Sequence, residues 1–213
     1  MIIEHDLVWE IRFEYIKGTS GDDLFNRYEF ITGTAFVSDE KEEGLVPVGK
    51  IEAYFFDIEG SDVPVAEILD SIDGDTSTLI KYFHDDINVV NIEVSALFNI
   101  GDAIGDLNSN FIYFHMLNVD KNFRGNGIGK LLIQATLNDI KRDASFAFLN
   151  AVPLQFRASG KNYDEALIAK TDEEFKKRNE EESKKKLIEL YKSCGFKSIK
   201  PLDGTDMVAF IAE

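Results

Sequence analysis

The sequence predicts a mixed α+β fold, and three observations carry that prediction. Aromatic and β-branched residues alternate with polar ones in early segments, as in half-buried strands. Phe111 to Val119 is apolar on both faces and reads as a strand with neighbours on either side. A glycine-dense turn, Arg124-Gly125-Asn126-Gly127-Ile128-Gly129, follows it and leads into helical spacing.

The elements follow in order. Val8 to Ile16 alternates, with Trp9, Ile11, Phe13 and Tyr15 on one face and Glu10, Arg12 and Glu14 on the other. Tyr28 to Val37 and Val46 to Ile58 are two more strands, and Ser38 to Gly44 is a charged hairpin loop with Gly44 as its positive-φ position. Three such neighbours suggest an antiparallel meander. After Gly60 the period becomes helical: Pro64 opens a helix capped near Ser61 or Asp62, with Val65, Ile68, Leu69 and Ile72 as its stripe. Asp73-Gly74 breaks it. Asp75 or Thr76 caps a second short helix that buries Leu79, Ile80 and Phe83 and ends at His84-Asp85-Asp86. Residues 87–98 fit strand or helix equally, and 99–110 read as loop. In the second half Ile128, Leu131, Leu132, Ala135 and Ile140 form a helix, with Lys141-Arg142 at its C-terminus. Ser145 to Val152 is a further strand, ended by Pro153.

Composition bounds the function. The 213 residues are 44% hydrophobic and 29% charged, enough for a sizeable core, and no repeat or linker divides them, so a single domain over 1–213 is expected. Acids within the first six residues, and no basic region leading into an apolar run, argue against a signal peptide. No apolar stretch is long enough to span a bilayer, so a cytoplasmic protein with no membrane partner is expected. Cys194 is the only cysteine, which excludes a disulfide framework and a thiolate metal site. His84-Asp85-Asp86 has no further ligand nearby and reads as a charged helix end, so no metal is expected. The net charge is −16: residues 1–110 hold 6 Lys/Arg against 24 Asp/Glu, and residues 111–213 hold 17 against 15. A nucleic-acid partner would need a basic footprint and is not expected.

The glycine turn is the one stretch that specifies chemistry. Bare backbone N–H groups and the positive end of the following helix make an anion site suited to a phosphate. The nucleotide pattern G-x-x-x-x-G-K-[ST] fails, because Arg124 stands at its first glycine and Leu131 at its Ser/Thr. The dinucleotide pattern G-x-G-x-x-G fails because Lys130 stands at its third glycine. The pattern [RQ]-x-x-G-x-[GA] is met by Arg124, Gly127 and Gly129, directly after a strand and opening a helix.

This turn resembles the acetyl-CoA-binding motif of the GNAT N-acetyltransferase superfamily. Leu187-IELYKSCGFKSIK200 resembles that family's late helix and the Gly-Phe turn into a strand, and the two motifs fall in the family's order over roughly 108–200. The resemblance implies an α+β (mixed α/β) GNAT fold: a central mixed, mostly antiparallel sheet of about seven strands flanked by helices, with the CoA-binding turn between the central strand and the next helix. Residues 1–110 would form the acceptor side, and 111–213 the CoA-binding half with a charged helical insertion at 161–186. Acetyl-CoA is the implied co-substrate. Its pyrophosphate would sit on the backbone of Gly125, Asn126, Gly127, Ile128, Gly129 and Lys130, with Arg124 and Lys130 supplying charge. The backbone of Leu117 would hold the oxyanion and that of Val119 would pair with the pantetheine arm. Tyr191 would be the general acid. His115, read as sharing a face with Tyr113 and Leu117, and Glu93, in an apolar stretch where burial would raise its pKa, are the candidate bases.

One departure stands out: family members often carry Asn seven residues before the tyrosine, where this chain has Lys184. Asn150, at the end of the preceding strand, is the nearest substitute amide. Within 161–186, Glu180/Lys184, Glu181/Lys185 and Glu182/Lys186 pair at i,i+4, each worth only about 0.2–0.5 kcal/mol, as on a solvated helix. The expected function is transfer of acetyl to a primary amine, and the acidic front half leads us to expect a cationic acceptor. The alternative is a non-catalytic CoA-binding regulatory or interaction protein with the same fold. A homodimer is compatible with the family.

Overall fold

The computed structural model describes residues 10–17, 26–39, 44–84, 87–100, 107–140, 143–153, 179–199 and 205–211. The meander is present: β1 (Glu10–Lys17), β2 (Tyr28–Asp39) and β3 (Gly44–Phe56) pair antiparallel in sequence order. Ile31, Ala35 and Val37 of β2 are buried, as the alternation requires. On β1 the alternation fades, because β1 is an edge strand: Ile11 is buried but Tyr15 is 46% exposed. Trp9 lies outside the described residues. Gly44 opens β3, paired with Asp39.

The first helix, α1 (Val65–Asp70), begins one residue after Pro64. Its cap comes from far along the chain: Asn88 Oδ1 accepts from Val65 N at 2.7 Å, while Ser61 closes its own turn on Val63 N. Asp73, read as part of a breaker, instead caps α2 (Gly74–Ser77) through a capping box with Thr76. A 3-10 turn, Ile80–Tyr82, follows it, and Leu79 and Phe83 are buried while Ile80 is partly so. His84 is not at a helix end; with Phe83 it forms β4 (Phe83–His84), paired to β5 (Ile87–Val90). Asp85 and Asp86 lie outside the described residues. The ambiguous stretch 87–98 is both: β5, then α3 (Ile92–Phe98), separated by Asn91, whose side chain caps the helix.

β6 (Phe111–Val119) pairs with β3 on one edge and in parallel with β7 (Phe146–Asn150) on the other. The crossover between them is α4 (Ile128–Ile140), while Lys141 and Arg142 lie outside the described residues. α5 (Glu180–Lys192) leads into β8 (Lys197–Ser198) and then β9 (Asp206–Phe210), a strand not among those expected. The sheet order is β1-β2-β3-β6-β7-β9-β8, and among the described residues β6–β7 is its one parallel pair. Seven strands, mostly antiparallel, flanked by helices: the expected fold class holds.

Two cores cover the two faces. On one, Ile128, Leu132 and Ile133 of α4 and Tyr191 of α5 pack with Ile31, Ile51 and Ile112. On the other, Val65, Ile68 and Leu69 of α1 and Val94 of α3 pack with Phe56, Phe111 and Phe148. Asn110 sets the start of β6: its buried Oδ1 accepts from Ile58 N (2.7 Å) and Glu59 N (2.8 Å). The helix after the glycine turn sits close on the sheet because β3 has a glycine beneath it. A Cβ on Gly49 would lie 3.1 Å from both Ile128 Cγ2 and Leu132 Cδ1. Gly49→Val is therefore expected to destabilise by about 1–3 kcal/mol through overpacking, read as a fall of several degrees in thermal midpoint.

Candidate functional site

The sheet opens where the site lies. β6 and β7 pair only as far as Phe114↔Leu149. Beyond that, β6 continues with β3 to Val119, and β7 continues with β9 to Asn150↔Asp206. The two halves of the sheet separate into a wedge. Among the described residues no strand follows β7 along this edge of β6 beyond Phe114, and such an edge is one an extended amide-bearing arm can pair with. A cavity of about 600 Å³ fills the wedge, in the range of cofactor sites.

His115 marks the apex. Glu52 pairs with Met116 and Ala53 with Phe114, so His115 is the extra residue of a β-bulge. The bulge resets the alternation: Tyr113 belongs to the α1–α3 core, whereas Leu117 and Val119 pack on the α4–α5 side. The expectation that His115 shares one face with Tyr113 and Leu117 is corrected accordingly. The imidazole is half-buried, 5.7 Å from the Tyr54 ring and 6.3 Å from the Tyr113 ring, and it lines the cavity. Glu93 behaves otherwise. It stands exposed on the first turn of α3, away from the cavity lining, so the burial expected to act on it is absent.

The glycine turn closes the other end. Asp120 N bonds Val48 O (2.8 Å), Asp120 caps a 3-10 turn at Lys121–Phe123, and Asn126 Nδ2 donates to Phe123 O (3.2 Å). Gly125 and Gly127 take φ of 83° and 79°, where a side chain would strain the backbone. Leu131 N makes the first turn's hydrogen bond, to Gly127 O at 3.0 Å. The N–H groups of Ile128, Gly129 and Lys130 thus precede the helical ladder, the geometry of an anion-binding helix start. Arg124 and Lys130 line the cavity, and Arg124 Nε also donates to Val119 O (2.9 Å), stapling the turn to the end of β6.

α5 forms the remaining wall. Residues 180–186, the end of the charged helical insertion expected over 161–186, are the first turns of this helix, while 161–178 lie outside the described residues. Two expected ion pairs form, Glu180–Lys184 (3.1 Å) and Glu182–Lys186 (2.6 Å), whereas Glu181 lies 3.9 Å from Lys184 rather than on Lys185. Lys184 thus points to its helical neighbour. Ser183 beside it faces the cavity, with a buried Oγ that has no hydrogen-bond partner among the described residues. Tyr191, 7% exposed, lines the same cavity and meets Phe196 edge-on at 5.9 Å. Gly195, at φ 95°, makes the turn that folds Phe196 back, and Phe196 N bonds Tyr191 O (3.2 Å).

Cys194 sits just past this helix, half-buried. Burial pushes its thiol up from the ordinary range, against a hydrogen bond with Ser193 and the positive charge of Lys130. The thiolate fraction near neutrality is therefore low. Iodoacetamide labelling of Cys194, followed by mass spectrometry, is expected to be slower at pH 7 than in the denatured chain and to accelerate as pH rises.

The residues present fit acetyl-CoA: an anion cradle at one end, a stretch of β6 between that pairs with β7 no further than Phe114 among the described residues, and Ser183 and Asn150, each with a buried polar atom, in the lining. Among the described residues no three His, Cys, Asp or Glu side chains gather as a metal site requires, and no helix is long and apolar enough to cross a membrane. No protein-family model matches the chain, and no curated protein does. Solved structures do resemble it. One is Arabidopsis thaliana NAA60 in complex with acetyl-CoA, 14% identical, covering 95% of this chain and 99% of that one at a TM-score of 0.42. A second is AtaTR bound with AcCoA, 10% identical, covering 95% and 94% at 0.41. A third is a point mutant of KacT, 9% identical, covering 95% of each at 0.44. A seven-stranded, mostly antiparallel sheet flanked by helices, with the glycine turn between β6 and the helix after it, is the arrangement that the resemblance to the GNAT fold implies.

Proposed function

We propose that residues 1–213 form one N-acetyltransferase domain that moves the acetyl group of acetyl-CoA to a primary amine. The observation that carries this reading is the continuous cavity joining the glycine turn to Tyr191 through the opened β6 edge. The backbone of residues 125–130 holds the pyrophosphate, aided by the charges of Arg124 and Lys130. The backbone at Leu117 stabilises the oxyanion, an interaction worth about 2.7–4 kcal/mol of barrier, and that at Val119 pairs with the pantetheine arm. The amine nitrogen attacks the thioester carbonyl; the N–C bond forms and the C–S bond breaks. Tyr191 gives its proton to the departing sulfur, and the surplus proton on nitrogen passes to His115. With Glu93 exposed outside the cavity, His115 is the base candidate that lines it. The acidic front half, 6 Lys/Arg against 24 Asp/Glu over residues 1–110, favours a cationic acceptor.

The test is a panel of spermidine, glucosamine, and peptides with a free N-terminus or lysine, scored for released CoA and for acetylated product by mass. Failure with every amine, alongside saturable acetyl-CoA binding, would instead support a non-catalytic CoA-binding protein. The position of Glu93 is the observation that keeps this second reading in play.

A further inference from the structure

Asn150 is the first residue of β7 beyond its pairing with β6, and its cross-strand partner on the other edge is Asp206. Asn150 Nδ2 donates to Asp206 Oδ1 at 2.9 Å. The other carboxylate oxygen is occupied: Oδ2 accepts from Tyr82 OH (2.6 Å) and from Lys81 Nζ (2.7 Å). Asp206 is 6% exposed, and Lys81 supplies the opposite charge that a buried carboxylate requires. An ionised carboxylate only accepts hydrogen bonds, so the amide must turn its NH₂ to Asp206. That fixes the flip and sends Asn150 Oδ1 the other way. This oxygen is buried, belongs to a cavity-lining residue, and has no hydrogen-bond partner among the described residues. A carbonyl oxygen so placed calls for an N–H or O–H donor, from a water in the cavity or from a ligand that displaces it.

Its position says which end of the ligand. With Phe114 opposite Leu149 in the parallel ladder, Asn150 falls next to the register position of His115, at the apex of the wedge. The glycine turn lies at the other end of β6, so an arm anchored there by its phosphates reaches Asn150 last. At the reacting end the thioester carbonyl is itself an acceptor, whereas the attacking amine carries N–H groups. We infer that Asn150 Oδ1, held in place by Asp206, receives one N–H of the incoming amine and orients its lone pair toward the thioester. This rests on the acetyltransferase reading above. Asn150 is then a substrate-binding residue and Asp206, backed by Lys81 and Tyr82, its positioning residue. Selectivity follows: a primary amine gives one N–H to Asn150 and keeps another to lose, whereas a secondary amine has only one.

The test uses the full chain, acetyl-CoA, the best amine of the panel and its N-methyl derivative. Asn150→Ala is expected to lower kcat/KM for the primary amine about tenfold, the worth of one hydrogen bond, with acetyl-CoA KM unchanged. Discrimination against the N-methyl amine should shrink with it. Asp206→Asn should move the same parameters in the same direction. A rise in acetyl-CoA KM with amine kinetics otherwise intact would assign the oxygen to the cofactor arm and overturn the inference, as would no change at all. If no amine is turned over, the side-chain NH₂ resonances of Asn150 in ¹⁵N-labelled protein decide. A shift when spermidine is added to the CoA-saturated protein supports the contact, and places the failure in the chemistry. A shift with CoA alone, or none with either, overturns it.

Discussion

Tyr191→Phe is expected to cut kcat by about 10²–10⁴ while leaving the affinity for acetyl-CoA within about twofold. A phenol of pKa about 10 is protonated at neutral pH and can donate to a thiolate whose conjugate acid has a pKa of about 8.5. The substitution removes the hydroxyl and keeps the ring. The ring keeps its edge-on contact with Phe196, and the backbone bond from Phe196 N to Tyr191 O is untouched. Thermal stability should accordingly change little, and isothermal titration with CoA should show intact binding. Steady-state turnover with the best amine is the deciding measurement. Unchanged kcat would remove Tyr191 as the acid and reduce it to a wall of the cavity, leaving the fold and the CoA site as they are.

What could be read in advance was what is local. The glycine turn announces itself because positive φ, an unpaired helix start and a preceding strand are all encoded within a few neighbouring residues, Val119 to Leu131. The meander was legible for the same reason. The bulge at His115 was not: Phe111 to Val119 is apolar on both faces, so a one-residue slip in alternation leaves no trace in the pattern. That slip decides which residues face the cofactor side. Caps supplied from a distance were equally hidden, as with Asn88 on Val65, 23 residues away. The group around Asp206 draws Lys81 and Tyr82 from the front half and Asn150 from β7, and no spacing rule connects them. The inner face of the charged helical stretch that ends at residue 186 was hidden for a physical reason too. Helical charge pairing at i,i+4 looks the same on a solvated arm as on the outer face of a helix whose inner face, at Ser183 and Tyr191, is a cavity wall.

The other large effect is expected at Arg124, where two roles can be pulled apart. The side chain ties the turn to β6 through Nε, which donates to Val119 O, and it is also a cation lining the cavity. A hydrogen bond from a charged donor contributes about 1.5–3 kcal/mol, and a phosphate contact is of the same order. Arg124→Ala should therefore raise the Kd for CoA by roughly 10- to 100-fold in isothermal titration. Arg124→Lys keeps the charge but not the planar fork that reaches back to β6, so it should restore only the salt-sensitive part of the affinity. Pantetheine, which lacks the pyrophosphate, separates the cases. If Arg124 acts on phosphate, pantetheine binds the wild type and Arg124→Ala equally. If it acts by holding Val119 in place, the alanine variant loses pantetheine as well, because the opened edge of β6 is where that arm would pair. Equal CoA affinity in all three proteins would mean that the backbone N–H groups of residues 125–130 hold the anion unaided, and that Arg124 belongs to the fold of the turn and not to its ligand.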